Sequence, residues 1–415
     1  MKRNIPLVIG VTALFFILLN WYVISGIRVV VSSPLAVYCF LGAILLILIS
    51  LSFSLVQIGK TGMTGVSKTV AHAFLLTLVG QLVFVSVLLP MDIFRVLTAA
   101  FTFVSQGKSF IPERSVHLTE FAIALSGLSC VLFVYGILRG KYAYRVIKHE
   151  LFYNDLPTAF DGFKIVQISD IHAGSFGNKK SVQKGVDLIK AQQADLLVFT
   201  GDLVNNKASE ILPWIDVFSQ IRAPFGQFSI LGNHDYGDYV RWPDTIAKQR
   251  NLQALKQYHA KLGYQLLLDE HVVIRKGSDE VILAGVENWG LGFGERGDLK
   301  KAINGVNDNA FKILLSHDPT HWETIVKKHP SKVHLTLSGH THGMQVGLEA
   351  LGIKWSPVKY RYPHWAGIAN FNGRYLNINR GFGFLGFSGR VGIWPEITLI
   401  TLRKKQENSE ITSAV

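Results

Sequence analysis

Four apolar segments fill the first third of this 415-residue chain, at roughly 5–25, 34–57, 69–91 and 117–138. Each is close to the ~20 residues that cross a bilayer as one helix. Lipid offers no partner to a backbone amide, so a spanning segment of this kind must satisfy its own hydrogen bonds as a helix. The first segment begins behind Lys2 and Arg3, as a signal peptide would. It is long, lacks a small-residue cleavage site and is followed by three more spans, so it reads as a retained helix.

Charge separates the two parts of the chain. Residues 1–138 hold eight of the 42 Lys/Arg and three of the 29 Asp/Glu, a net of +5. The remaining 34 and 26 give residues 139–415 a net of +8. A basic globular part suits an anionic partner, either a phosphorylated substrate or a lipid surface. No arginine-rich run or recognition motif supports nucleic acid. Cys39 and Cys130 both lie in apolar stretches, so no disulfide framework is implied. With the N-terminus inside, Lys2, Arg3, Lys60, Lys68, Arg139, Lys141, Arg145 and Lys148 flank the inner side. Arg28, Arg95, Lys108 and Arg114 face outward. That bias predicts a globular part in the cytoplasm; the expected setting is an integral protein of a bacterial-type cell membrane. Gln81 reads as interhelical glue, and Asp92 with Arg95 as a pair at a helix end.

The expected organisation is a four-helix membrane region at 1–138, a juxtamembrane linker at 139–160, a globular domain at 161–402 and a polar tail at 403–415. Short apolar runs in the globular part read as buried strands: Lys164–Ile168, Leu196–Thr200, Gln227–Leu231, Lys312–Leu315 and Val333–Leu337. Later strands are expected at 280–286, 374–379 and 396–402. Helices are expected near 179–193, 208–222, 245–262 and 320–329.

Each of the five early runs is followed by polar residues of the kind that bind metals. They are Asp170-Ile171-His172, Gly201-Asp202, Gly232-Asn233-His234-Asp235, Ser316-His317-Asp318 and Ser338-Gly339-His340-Thr341-His342-Gly343. Ligands in open α/β sheets gather beyond the carboxyl ends of strands, so five distant loops can meet at one rim. Two divalent ions about 3.5–4 Å apart would clamp an in-line displacement at phosphorus. Carboxylate, imidazole and amide donors suit Mn, Fe(II) or Zn.

The order of these motifs resembles the calcineurin-like dinuclear metallophosphoesterases over roughly 162–402. The resemblance implies an α/β fold: an αββα four-layer sandwich of two mixed sheets with a dinuclear metal site, here preceded by four transmembrane helices. It implies two divalent metal ions as cofactors, Asp170, His172 and His342 on one, Asn233, His317 and His340 on the other, and Asp202 bridging. His234 would act as general acid, with Asp235 orienting it. The later Asn379-Arg380-Gly381-Phe382-Gly383 and Trp394-Pro395-Glu396-Ile397 resemble a membrane-anchored branch that includes UDP-2,3-diacylglucosamine pyrophosphatase-like proteins. Met344 stands where that branch commonly has glycine. The implied function is hydrolysis of a phosphodiester or pyrophosphate bond in a lipid-linked substrate such as a UDP-diacylglucosamine-like molecule, with membrane lipids as surroundings. The alternatives are a regulatory or binding protein that keeps the fold without catalysis, and a transporter or sensor with a phosphoesterase output.

Outside the motifs the expectations are plainer. Arg380 holds a phosphate or caps a turn. Asn288 and Trp289, with Glu287, follow a strand and are expected at the pocket rim as substrate-binding residues. His334 sits mid-strand and reads as a satisfied core residue. The segment Gly352–Phe371 mixes Trp355, Tyr360, Tyr362 and Trp365 with Lys354, Lys359 and Arg361. It reads either as a loop for the headgroup layer or as a small satellite core.

Overall fold

The computed structural model describes residues 5–61, 64–108, 110–350 and 352–405. Its contacts divide the chain between Tyr135 and Gly136 into two compact units.

The first unit is built from α1 (Ile5–Ile27), α2 (Pro34–Thr61), α3 (Gly65–Gln106) and α4 (Val116–Leu138). All four are long and apolar enough to cross a membrane. The third is far longer than expected. It runs for 42 residues with Pro90 inside it, about 63 Å at 1.5 Å per residue. Thr64 and Ser67 form a capping box at its start, and Gly107 at φ 64° closes it. Gly26 brings α1 against α3, since a Cβ there would lie 2.7 Å from the Phe84 ring. Small residues allow such close approach between membrane helices. Gln81 Nε2 donates to Asn20 Oδ1 across the same pair at 2.9 Å.

Asp92 and Arg95 do pair, but inside α3 rather than at its end. Asp92 accepts from Arg95 Nη1 at 2.6 Å, Arg114 Nη2 at 2.6 Å and Tyr22 Oη at 2.7 Å. Arg114 Nη1 donates on to Ser25 Oγ at 3.0 Å, and Arg95 Nε to the Pro112 carbonyl at 2.6 Å. One carboxylate thus ties α1, α3 and the approach to α4.

The second unit has sixteen strands among the described residues. In chain order they are β1 (Arg145–Tyr153), β2 (Lys164–Ile168), β3 (Leu196–Phe199), β4 (Gln227–Ser229), β5 (Gln265–Leu266), β6 (Glu270–Lys276), β7 (Asp279–Gly285), β8 (Trp289–Gly290), β9 (Gly294–Glu295), β10 (Lys312–Leu315), β11 (Leu335–Ser338), β12 (Leu348–Ala350), β13 (Ile353–Trp355), β14 (Gly367–Phe371), β15 (Arg374–Ile378) and β16 (Glu396–Lys404). One six-stranded sheet has the order β1-β16-β2-β3-β4-β5, the other β14-β15-β11-β10-β7-β6. Both are mixed. In the first, β16 and β2 pair antiparallel while β2, β3 and β4 run parallel. In the second, β7, β10, β11 and β15 run parallel between antiparallel edges.

Alternation along the strands produces four layers. Ile165, Leu196, Val198, Ile400 and Leu402 from one sheet share a core with Leu283, Ile313, Leu315, Leu335 and Leu337 from the other. Their neighbours Val166, Ile168, Leu197 and Phe199 face away, onto Val182, Val186 and Ile189 of α5 (Lys179–Lys190). Residues 215–218 form a short α6, and Phe218 joins that layer. So do Leu255 and Leu262 of α7 (Thr245–Leu262). On the far side, Leu314, Leu376 and Ile378 pack on Trp322 and Val326. Strands covered on both faces become continuous apolar runs, and each buried aliphatic side chain contributes roughly 1.5–3 kcal/mol.

The expected linker is not one. Residues 145–153 form β1, paired parallel with β16 over nine residues from Arg145↔Glu396 to Tyr153↔Lys404. As an edge strand it leaves Lys148 and Glu150 exposed, which gives it the polar look of a connection. The strand that opened the expected tail, β16, runs on through Lys404, and residues 406–415 lie outside the described residues.

Replacing Asp92 with Asn leaves two mostly buried guanidiniums without a carboxylate. The cost is expected at about 3 kcal/mol, the low end for a broken buried pair. It should appear as a lower melting temperature of the detergent-solubilised full chain. An unchanged midpoint would show that the cluster does not hold the helices together.

Candidate metal centre

The five motifs follow the carboxyl ends of β2, β3, β4, β10 and β11, and those strands are parallel within each sheet. Gln167 joins the two sheets at this edge. Its Nε2 donates to the Ser338 carbonyl at 2.8 Å, and its Oε1 accepts from Asn377 Nδ2 at 2.8 Å. The motif loops therefore start from a fixed rim.

Their backbones are strained. Asp170, His172, Asp202, His340 and His342 have φ of 51°, 46°, 61°, 71° and 49°. Left-handed conformations at non-glycine residues cost of order 1–3 kcal/mol each and cluster where function over-determines them. Glycines supply the room. A Cβ on Gly232 would lie 2.2 Å from Asp202 Oδ1, and one on Gly339 would lie 1.9 Å from Ser169 Oγ and 2.3 Å from Asp170 Oδ2.

Two groups of side chains can each hold a cation: Asp170, His172 and His342, and Asp202, His317 and His340. In the first, His342 Nε2 lies 3.2 Å from Asp170 Oδ1 and 3.0 Å from His172 Nε2. In the second, Asn233 Oδ1 lies 2.9 Å from His340 Nδ1. Asp202 Oδ2 stands between the groups, 3.5 Å from His172 Nε2 and 3.3 Å from His317 Nε2. His317 Nδ1 is taken by the Thr200 carbonyl at 2.7 Å, which turns its other nitrogen inward. His340 Nε2 faces Asp318 Oδ2 at 3.3 Å, leaving Nδ1 on the Asn233 side. A carboxylate or carbonyl behind an imidazole fixes the tautomer of a metal-binding histidine.

The electrostatics match a cation site. Asp170 and Asp202 are buried, which by itself would raise their pKa, yet the facing histidines hold both carboxylates well below the usual range. His317 shows the other side of this balance. Burial opposes its proton, the Asp202 carboxylate outweighs burial, and the imidazole is pushed up to about 10. His317 Nε2 is buried without a hydrogen-bond partner. A divalent ion competes for that nitrogen, because a ligand imidazole must lose its proton. The donor set fits two metal ions.

A cleft of about 480 Å³ opens over these groups, lined in part by His172, Asp202, Asn233, His234, His340 and His342. His234 Nδ1 lies 2.8 Å from the Asn205 carbonyl, and its ring packs on Tyr239 at 4.5 Å. Asp235 does not orient it. The Asp235 carboxylate instead accepts the backbone N–H groups of Asp202, Leu203, Val204 and Gly232 at 2.8–3.2 Å. Burial and the neighbouring Asp202 push it up to about 7. It clamps the Asp202 loop onto the Asn233 loop.

Three residues expected to meet substrate are not found at the cleft. Arg380 is engaged by Glu349 at 2.7 Å and by Glu396, so its charge is spoken for. Asn288 is buried and donates to the Phe293 and Gly294 carbonyls, which closes the β8–β9 hairpin. Trp289 is buried and stacks on His321 at 5.1 Å. None of the three lines the cleft. His334 is buried and bonded to the Lys312 amide and to Asp155, a core residue. The segment Gly352–Phe371 splits between its two readings: Tyr362 and Trp365 join Val358 and Ile393 in a small core, while Tyr360 is exposed. Sequence reasoning missed Tyr239, Phe293 and Arg361 on the cleft wall. Arg361 carries a signal, a basic residue among aromatics, which the sequence leaves open between the headgroup layer and a satellite core rather than pointing to the cleft.

Gly339→Ala is expected to push Asp170 and Ser169 apart and to lower the ratio of bound metal to protein, with the helical and sheet content unchanged. Elemental analysis of the purified full chain measures the ratio. Full loading of the variant would show that the crowding relaxes without disturbing the site.

Comparison with known proteins meets this geometry from outside. Residues 163–344 match the calcineurin-like phosphoesterase model, and residues 3–141 match a model described as a probable calcineurin-like phosphoesterase transmembrane domain. An uncharacterized metallophosphoesterase of Bacillus subtilis strain 168, YkuE, is 30% identical over 262 residues, covering 62% of this chain and 84% of the relative. A Danio rerio transmembrane protein with metallophosphoesterase domain is 27% identical, over 67% of this chain and 61% of its own length. The UDP-2,3-diacylglucosamine pyrophosphatase LpxG of Chlamydia muridarum is 28% identical, over 46% of this chain and 68% of the relative. With two cation-holding groups at the parallel strand ends and a family match that takes in all five motifs, the chain belongs to the calcineurin-like metallophosphoesterases.

Proposed function

We propose that this chain is a membrane-anchored, two-metal hydrolase of a phosphodiester or pyrophosphate bond in a lipid-linked substrate. One observation carries the reading: Asp202 Oδ2 stands between two Asp/His groups on the floor of a cleft that His234 also lines. Asp170, His172 and His342 would hold one ion, Asn233, His317 and His340 the other, and Asp202 both. Bound there, two divalent ions supply Lewis acidity toward phosphoryl oxygens and an acidified water. The chain's own residues do the rest. Asp235 holds the Asp202 and Asn233 loops in register through four backbone N–H groups. His234 spends Nδ1 on a carbonyl, so its Nε2 is the atom that can pass a proton to the departing oxygen. Lipid linkage is supported by the four spans and by the likeness to a relative named for a diacylated substrate. The charge bias of the sequence supports a cytoplasmic catalytic unit.

Chelation of the purified full chain should abolish turnover of a phosphodiester, and added divalent metal should restore it. Asp202→Asn should cost orders of magnitude in rate. His234→Ala should keep its metal and lose about 10²–10⁴-fold, most on poor leaving groups, as befits a general acid. Undiminished turnover of an unactivated diester by His234→Ala would remove that role.

Reporter fusions test the orientation. Those at residues 30 and 108 should report the outer side and one at 150 the cytoplasm. An exported reporter at 150 would place the substrate on the outer face of the membrane.

A further inference from the structure

Among the described residues that line the cleft, one arginine has no part in the proposed reaction. Arg361 lines the wall. Its guanidinium lies over the Phe293 ring at 5.1 Å and over the Tyr362 ring at 5.7 Å, and Nη2 donates to the Leu291 carbonyl at 3.1 Å. Both rings reach back to the metal side. Phe293 packs edge-on against His340 at 4.6 Å between centroids, and Tyr362 meets the same imidazole at 5.7 Å. Tyr362 is fixed in turn by burial and by its hydroxyl at 3.3 Å from Asp318 Oδ2. Two rings therefore hold Arg361 at a set spacing from the proposed ligand His340.

Other nearby cations are already satisfied. Arg380 pairs with Glu349 and Glu396, and Arg296 with Asp238. Arg390 keeps a buried Nη1 without a partner, but it is held on the carbonyls of Arg380, Gly381 and Gly383 and does not line the cleft. Among the described residues no carboxylate pairs with Arg361. The two rings hold the guanidinium by cation–π contact and Leu291 takes one Nη2 N–H, which leaves further N–H groups of the fork for a phosphate or carboxylate.

We propose that Arg361 anchors a second anionic group of the substrate, set apart from the phosphorus under attack. This rests on the phosphoesterase reading and narrows it. The substrate carries two anions, as a diphosphate diester does, or a phosphodiester whose departing arm bears a further phosphate or carboxylate. Met344, Pro357, Val358, Tyr360 and Leu385 form the apolar remainder of the wall, beside which the uncharged part of such a molecule can lie.

The test compares wild type, Arg361→Gln and Arg361→Lys as full chains in detergent. Substrates are bis(4-nitrophenyl) phosphate, with one anion, and a nucleoside diphosphate ester, with two. Arg361→Gln should raise KM for the diphosphate ester by about 10- to 100-fold, the range of a lost charge-assisted hydrogen bond. It should leave kcat on that substrate and KM on the single-anion diester within about twofold, and Arg361→Lys should recover part of the loss. Equal effects on both substrates, or none on the diphosphate ester, would overturn the proposal. A binding arm separates this inference from the catalytic one. Calorimetry with a methylene-bridged, non-hydrolysable diphosphate ester and with a simple phosphonate monoester needs no turnover. Tighter binding of the bridged compound by wild type, lost in Arg361→Gln, supports the anchor even if neither substrate is hydrolysed. Equal binding by the two proteins, or binding by neither, rejects it.

Discussion

Asp170 and Asp202 are two carboxylates buried a few ångströms apart from the same set of imidazoles, and the architecture of the second unit is arranged around that charge. An ionised group taken out of water costs several kcal/mol unless something positive or hydrogen-bonding faces it. Here the compensation comes from five loops that share no local sequence. Each loop must arrive at the same point, which requires parallel strands ending at one edge and two sheets locked together there by Gln167. The left-handed residues follow from the same demand. A chain leaving a strand has to turn its carboxylate or imidazole back over the strand end within two to four residues, and the αL region is a conformation that does so. The strain is borne because apolar layers on both faces of both sheets over-determine the loops.

How much of this could be read from the sequence depends on how local the deciding interaction is. The strands β2 and β10 lie where their apolar runs were expected, and the helix α7 where a helix was expected near 245–262, because the signal for each lies in the element or beside it, Asp244 and Gly263 flanking the helix. The metal-type ligands were legible because each sits directly behind its strand. What could not be read was decided at a distance. The strand β1 owes its existence to β16, some 250 positions away, and its exposed charges disguise it. Arg380 looked like an anion site among glycines until Glu349 and Glu396 came beside it. Asp235 lies next to His234 in sequence, yet a tight turn sends its carboxylate toward the backbone of another loop. The third membrane helix outran its apolar core because Asp92 and Arg95 find partners inside the bundle, so charge did not end it.

The aromatic and basic segment after the last motif shows the same lesson at the site. Composition alone left open whether it faced lipid or packed inward. In the folded chain its buried rings form a small core beside the cleft, and its arginine lies over one of them, Tyr362, and over Phe293 from another loop. A single stretch thus serves packing with some residues and faces the cleft with others, a division that only the alternation of burial reveals.

The pairing of β1 with β16 also sets an order of events. Of the described strands, the one that separates β1 from β2 in the first sheet comes last in chain order. Until residues 396–404 emerge, β1 and β2 have a gap between them, and closing so large a loop is slow because its entropy must be met before the contacts form. The apolar helices precede the sheet strands in the chain and can enter a membrane before the sheet is closed. Until then the partly built sheet has two open edges. Unpaired strand edges of this kind invite association with other chains, so a protein of this design gains from holding the earlier strands apart until its C-terminal strand arrives.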